Sequence, residues 1–376
     1  MNAVIKDTQS PAPQVFRAEH VGSFLRPRAL IEAREQYKRG TIDAAQLRAA
    51  EDTAIRDVAK LQEEVGLQVI TDGEFRREYF HLDFLSQLGG VETQMPRMVV
   101  GNDGKEHLVP PAITVSGKVR HVRDIQRADF DFLRGCTSRT PKVAIPSPTM
   151  LHFRGGRDGI SREHYETLEP FYEDVANAFA AELHSLAKAG CTYVQLDDTN
   201  LAYLCDTQMR EAARSRGDDP DELPRLYARA FINKLAAQKP AGMTLGMHLC
   251  RGNFRSTWAA SGGYEPVAEA LLSEMNLDTY LLEYDDERSG DFRPLRFLSK
   301  GKVVVLGLIS TKFGQLETKD SIKRRIDEAS RHVSLDQLAL SPQCGFASTV
   351  HGNDLAYAEQ VQKLRLVVEI ANEVWR

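Results

Sequence analysis

Four side chains with metal-ligating chemistry stand out in this sequence: His248 and Cys250, two residues apart in GMHLCRGNF, Glu283 in LLEYDD, and Cys344 in SPQCGF. An imidazole, two thiolates and a carboxylate in a roughly tetrahedral arrangement suit Zn2+. An H-x-C pair alone carries little weight, because buried free cysteine is an ordinary core residue. Position strengthens it. Residues i and i+2 of a strand share a face, so His248 and Cys250 can point to the same side, provided the preceding TLGM is a buried strand.

The rest of the chain supplies the frame. Short apolar, β-rich runs occur at 19–24, 67–74, 142–148, 193–198, 244–250, 280–285, 302–310 and 338–345. Between them lie segments with helical spacing, such as AAQLRAAEDTAIRDVAKLQEEVG, YETLEPFYEDVANAFAAELHSLAKAG and SIKRRIDEASRHV. Strand–helix alternation repeated about eight times predicts parallel strands joined by crossover helices, an α/β chain forming a single (β/α)8 TIM barrel. Residues 88–122, with an Asn-Asp-Gly turn between β-like runs, read as an inserted hairpin near one mouth. Residues 1–15 read as a mobile N-terminal arm and 16–376 as one barrel domain.

In such a barrel the catalytic groups come from the C-terminal ends of the strands. Every predicted end carries a polar group: Ser23; Asp72 and Glu74; Ser147; Asp197 and Asp198; His248 and Cys250; Glu283 and Asp285; Ser310 and Lys312; Gln343 and Cys344. Strands five, six and eight thus offer the four metal-ligating side chains at corresponding heights. Cys136, Cys191 and Cys205 have no His or Cys at ligand spacing and read as packing residues.

Composition narrows the function. The 48 basic and 53 acidic residues give a net charge of -5 with no basic cluster, which argues against a nucleic-acid partner. No stretch approaches the apolar length of a membrane span, and no signal peptide opens the chain. Five widely spaced cysteines point to a reducing compartment, so a cytoplasmic enzyme with small-molecule substrates is expected. A homo-oligomer is compatible with the sequence.

The motifs VGSFLRP, DGEFRREYF, IPSPTML, VQLDD, HLCRGNF, LLEYDD and SPQCGF together resemble the catalytic barrel of the cobalamin-independent methionine synthases, especially their short single-barrel relatives. The resemblance implies zinc held by His248, Cys250, Glu283 and Cys344, the same four residues. It implies methyl transfer to a zinc-bound thiolate nucleophile, with homocysteine giving methionine. By similarity Glu74 and Asp197 hold the substrate ammonium, and Ser23 with the backbone around Gly22 holds its carboxylate. Arg251 would be available to an anionic group. Asp197 could instead cap a strand end or pair with Arg76 or Arg77, and Ser23 could be only a small residue at a tight turn.

The sequence also departs from that family. It has no room for the second, N-terminal half that helps bind the polyglutamylated folate. The folate-stacking tryptophan would fall near IPSPTMLHF, where the chain has Met150, His152 and Phe153. Lys312 stands about where the long enzymes place a histidine proton donor; it could act as an acid if burial lowers its pKa, bind an anion, or be a solvated loop residue. The donor is therefore left open among a folate, a methylated corrinoid protein and a methylated sulfur compound. Two other readings remain: alkylation of a different thiol, of the epoxide-to-coenzyme M type, and a noncatalytic barrel that binds a methyl-carrier partner.

Overall fold

The computed structural model describes residues 15–94, 97–100, 106–109, 112–253, 256–347 and 352–376. Residues 1–14, most of the expected arm, and the Asn102-Asp103-Gly104 turn lie outside these. The strands are β1 (Val69–Ile70), β2 (Gly89–Gln94), β3 (Arg97–Val100), β4 (Glu106–Val109), β5 (Ala112–Arg120), β6 (Thr140–Pro141), β7 (Val143–Pro146), β8 (Tyr193–Asp198), β9 (Thr244–Leu249), β10 (Thr279–Glu283), β11 (Val303–Ile309) and β12 (Leu338–Pro342).

Strands β7 to β12 form one parallel sheet in sequence order, each paired with the next. Long crossover helices, including Glu169–Lys188 and Lys319–Ala329, connect them. Both faces of these strands are buried, which explains why their sequences run continuously apolar instead of alternating. Strand β1 pairs in parallel with β6, which leads directly into β7. The expected insertion is present: β2 pairs antiparallel with β5, and β3 with β4.

Seven of the eight expected runs contain strand structure; the first, at 19–24, does not. Only an isolated bridge between Ala18 and Leu340 marks its start. The reason is that side chains take over the backbone's partners. The carbonyl of His20 accepts from Lys142 Nζ, that of Val21 from Gln195 Nε2, and that of Gly22 from Thr71 Oγ1. The segment nonetheless joins the two ends of the series, through Glu19 N to Leu340 O at 2.8 Å and Phe24 N to Gly73 O at 3.1 Å.

Local sequence signals set the outer helices. Helix Ala44–Val65 opens with Asp43, whose carboxylate accepts from Gln46 N while Gln46 Oε1 accepts from Asp43 N. It ends at Gly66, whose φ of 101° few other residues adopt without strain. Among the described residues no helix is long and apolar enough to cross a membrane.

Candidate metal centre

Parallel register assembles the centre. His248 on β9 lies opposite Leu281 on β10, so two residues further along Cys250 comes level with Glu283 on the same face. On the next pair Glu283 faces Gly307 of β11, and Gly307 faces Ser341 of β12. A side chain at 307 would place its Cβ 2.9 Å from both Gln343 Cα and Leu282 O. Glycine there lets the end of β12 close in, with a register shift between Gly307 and Ile309. Cys344 is thereby carried to the centre.

One ligand atom from each of His248, Cys250, Glu283 and Cys344 lies within 4.8 Å of the others, and all four residues are buried. The two sulfurs are 3.5 Å apart. His248 Nδ1 lies 3.1 Å from the Leu281 carbonyl, to which it donates, and Nε2 has no hydrogen-bond partner. A backbone acceptor on one ring nitrogen sets the ring's orientation and, in the neutral imidazole, leaves the other with a lone pair, the pattern of a metal-ligating histidine. The donor set and this orphaned nitrogen fit a metal ion such as zinc.

Glu283 is held from two sides. Oε1 accepts from Gln343 Nε2 at 2.8 Å and Oε2 from Arg251 N at 3.2 Å. The guanidinium of Arg251 donates to Tyr264 Oη at 2.8 Å, to the Glu283 carbonyl at 3.2 Å and to the Gly262 carbonyl at 2.9 Å, and it lies 4.1 Å over the Tyr264 ring. Arg251 is fully buried, so it is not offered to an anionic substrate as the sequence suggested. It stays inside because an inward guanidinium finds these acceptors on Gly262, Tyr264 and the end of β10. Its place is behind Glu283, and Gln343 and Tyr264 share that task. Gln343 was visible in the sequence as a strand-end polar residue beside a cysteine, whereas no pattern marked Tyr264.

The electrostatics describe a pocket of acids without enough cation. Burial, reinforced by the Cys344 charge, pushes the Glu283 carboxyl up to about 7. Burial works to lower the His248 pKa, but Cys344, Asp197 and Glu283 outweigh it and raise it to about 9. The two thiols share a hydrogen bond, so losing the first proton is eased by the neighbouring thiol and the second loss is opposed by it. A bound dication would compensate these charges together.

The other expected site residues gather nearby. Glu74 and Asp197 are buried; burial raises their carboxyls to about 7 and about 6, and the Asp197 charge adds to the first effect. Asp197 lies beside His248 in the β8–β9 register and accepts from Gln195 Nε2 at 2.7 Å. Among the described residues no ion pair joins it to Arg76, which instead meets Asp52 and Asp129, whereas the Arg77 charge does act on Asp197 and favours its ionised form. Glu74 has a φ of 60°, a left-handed conformation that costs on the order of 1–3 kcal/mol in a non-glycine residue. Asp72 Oδ1 accepts from its N–H, and Arg26 donates to its carbonyl, which holds that turn.

Ser23 packs against Gly345, where a Cβ would come 1.9 Å from Ser23 Oγ, and that oxygen accepts from Ala347 N at 3.3 Å. Lys312 is buried, which removes the solvated-loop alternative. Its ammonium reaches the carbonyls of Gly252 at 3.4 Å and Thr257 at 3.2 Å, and Asn253 Oδ1 at 3.4 Å. Cys191 and Cys205 are buried and Cys136 partly so, all as free thiols.

Residues 16–373 match the family model of the cobalamin-independent synthase catalytic domain. The chain is 46% identical to the uncharacterized protein YxjH of Bacillus subtilis (strain 168), covering 100% of this chain and 99% of that one. It is 25% identical to the methionine synthase of Pyrococcus abyssi, covering 94% and 92%. A solved protein of Listeria monocytogenes, assigned as a vitamin-B12 independent methionine synthase, superposes with a TM-score of 0.78 at 38% identity, covering 97% and 99%. The chain belongs to the cobalamin-independent methionine synthase family, whose reaction is methyl transfer to homocysteine, and it matches that family's catalytic domain.

Proposed function

We propose that this chain is a zinc-dependent S-methyltransferase that converts homocysteine to methionine. The observation that carries the reading is the buried His248–Cys250–Glu283–Cys344 cluster with its orphaned Nε2, at the strand ends of a chain of this family. Zinc held by these four residues would lower the pKa of an incoming thiol, presenting it as a nucleophile at neutral pH.

The protein's own groups position the substrate. Glu74 and Asp197, both buried, would take the ammonium of an amino-acid thiol. A bound cation favours their ionised forms and offsets the burial that now opposes ionisation. Ser23 and the backbone around Gly22 would take the carboxylate. Gln343 and Arg251 fix both oxygens of Glu283, and the Leu281 carbonyl fixes the imidazole. Lys312 would act through its contacts with Gly252, Asn253 and Thr257, holding the segment that follows Cys250.

A donor other than the polyglutamylated folate is favoured by Phe153 in the region of the family's stacking tryptophan and by Lys312 in place of its histidine. Methylated corrinoid protein, a simpler folate and methylated sulfur compounds are the classes to screen. Zinc X-ray absorption with and without homocysteine tests the central claim: a new sulfur neighbour is expected on adding the thiol. An unchanged spectrum across a panel of thiols would overturn the catalytic reading, and a donor screen with zinc-loaded protein would then identify the methyl source if it stands.

A further inference from the structure

Trp258 is 50% exposed, although the backbone around it is tied to the ligand-bearing ends of the strands. A large ring left in water beside a reaction centre is informative, because covering it would release that apolar surface from solvent. After β9 the chain turns back on itself. The carbonyl of Arg251, the residue next to Cys250, accepts from Ala259 N at 2.8 Å and from Ala260 N at 3.1 Å. The loop after β11 supports the same segment: Lys312 Nζ donates to the Thr257 carbonyl at 3.2 Å, and Ser256 Oγ to the Lys312 carbonyl at 2.7 Å.

The loop after β10 supplies the floor. The Arg288 guanidinium lies 4.3 Å from the centroid of the Trp258 ring. Its Nε donates to Asp286 Oδ2 at 2.5 Å, and Nη2 pairs at 3.5 Å with Asp285, two residues beyond Glu283. Gly262 N donates to the Arg288 carbonyl at 2.9 Å, which joins this loop to the one that carries Trp258. Nη1 is buried without a hydrogen-bond partner among the described residues, so the guanidinium packs on the ring instead of reaching an acceptor on every side. The indole is therefore fixed in place, which lowers the ordering cost of stacking a ligand on it. The chain's other tryptophan, Trp375, donates to the Leu335 carbonyl at 3.0 Å just before β12, at the opposite end of the strands.

We infer that the face of Trp258 turned away from Arg288 is the platform on which a planar ring of the methyl donor stacks. This rests on the methyltransferase reading and selects among the donor classes left open there. A guanidinium on one face already draws on the indole's negative quadrupole, so the open face suits a neutral planar ring better than a sulfonium. A single ring is also far smaller than the roughly 800 Å² per partner that a stable protein interface covers, which favours a small donor over a methylated carrier protein.

The test is an NMR titration of the full-length zinc-loaded protein, 15N-labelled at its two indoles, with the signals assigned by Trp375→Phe. The probe is 5-methyltetrahydrofolate with a single glutamate, whose aminopyrimidinone ring is planar. It is expected to shift the Trp258 signal saturably and to leave that of Trp375 in place. Trp258→Ala should weaken this binding about tenfold or more by calorimetry, and Trp258→Phe should keep most of it. No saturable shift, or equal affinity in Trp258→Ala, would overturn the platform. S-methylmethionine moving the Trp258 signal at lower concentration than the folate would overturn the planar-ring assignment. Zinc X-ray absorption with homocysteine keeps the two claims separate. A new sulfur neighbour retained in Trp258→Ala while folate binding is lost supports the platform, and loss of that neighbour in the variant would overturn the assignment to the donor. Its absence in wild type sinks the methyltransferase reading, whatever the indole signal does.

Discussion

Two buried polar clusters lie within the strand array, and they differ in one respect. Around Lys142 the ammonium meets Glu19 Oε2 at 3.0 Å, Gln195 Oε1 at 3.0 Å and the His20 carbonyl, so its three N–H groups each have an acceptor and its charge faces a carboxylate. Around His248 an imidazole nitrogen is unmatched, two thiols crowd each other and a carboxyl is pushed up to about 7. Burial is equal in the two places; completeness is not. A cluster closed by its own partners fixes the fold, whereas one whose donors are complementary to a cation is equipped to bind it.

Breaking the open cluster should have the largest functional effect. Cys344→Ser is expected to lose zinc and methyl transfer together, with turnover down by about 10³-fold or more and the far-ultraviolet circular dichroism retained. Stoichiometric zinc by elemental analysis in that variant would show the ligand set to be wrong. Breaking the closed cluster should instead act on stability. Lys142→Met leaves Glu19 buried without its partner and should cost about 3–5 kcal/mol in urea unfolding, while the folded fraction keeps its zinc. Adding Glu19→Gln should recover much of that loss; an unchanged deficit would mean that the ion pair is not its source.

A smaller effect is expected from the groups behind the ligands. Gln343→Leu removes one hydrogen bond to Glu283 and should weaken zinc binding about 10–100-fold in a chelator competition without displacing any ligand. Unaltered affinity would mean that Arg251 alone suffices to orient the carboxylate.

The smallest effect concerns pH. Glu74 titrates near 7 in the fold against 4.5 ordinarily, so between those values the native state binds more protons than the unfolded chain. Its contribution to stability is therefore full below about 4.5 and declines as pH rises through about 7. Glu74→Gln should flatten that decline and be more stable than wild type at pH 8 by on the order of 1 kcal/mol, read from the pH dependence of Tm. Parallel wild-type and variant profiles would contradict the buried, protonated state.

Much of the site was legible because strand periodicity and chemical type are local. His248-x-Cys250 announces a shared face, and Glu283 and Cys344 announce themselves by falling where apolar runs end. The first expected strand was not legible as the irregular segment it is. Its ladder partners were replaced by Lys142, Gln195 and Thr71, whose side chains come from three other strands and loops. Arg251 failed for a related reason, since a residue just past a strand can turn toward solvent or inward, and acceptors as distant in sequence as Gly262 and Tyr264 decided between them.

The sequence by itself determined the repeating strand–helix order, the buried parallel strands and the identity of the four candidate ligands, because each follows from spacing and side-chain chemistry over a few residues. Only the tertiary structure decided that their ligand atoms lie within 4.8 Å of one another and that Arg251 supports Glu283. Register between strands, the close approach at Gly307 and the completion of hydrogen bonds depend on residues far apart in the chain, and those are settled when the strands come together.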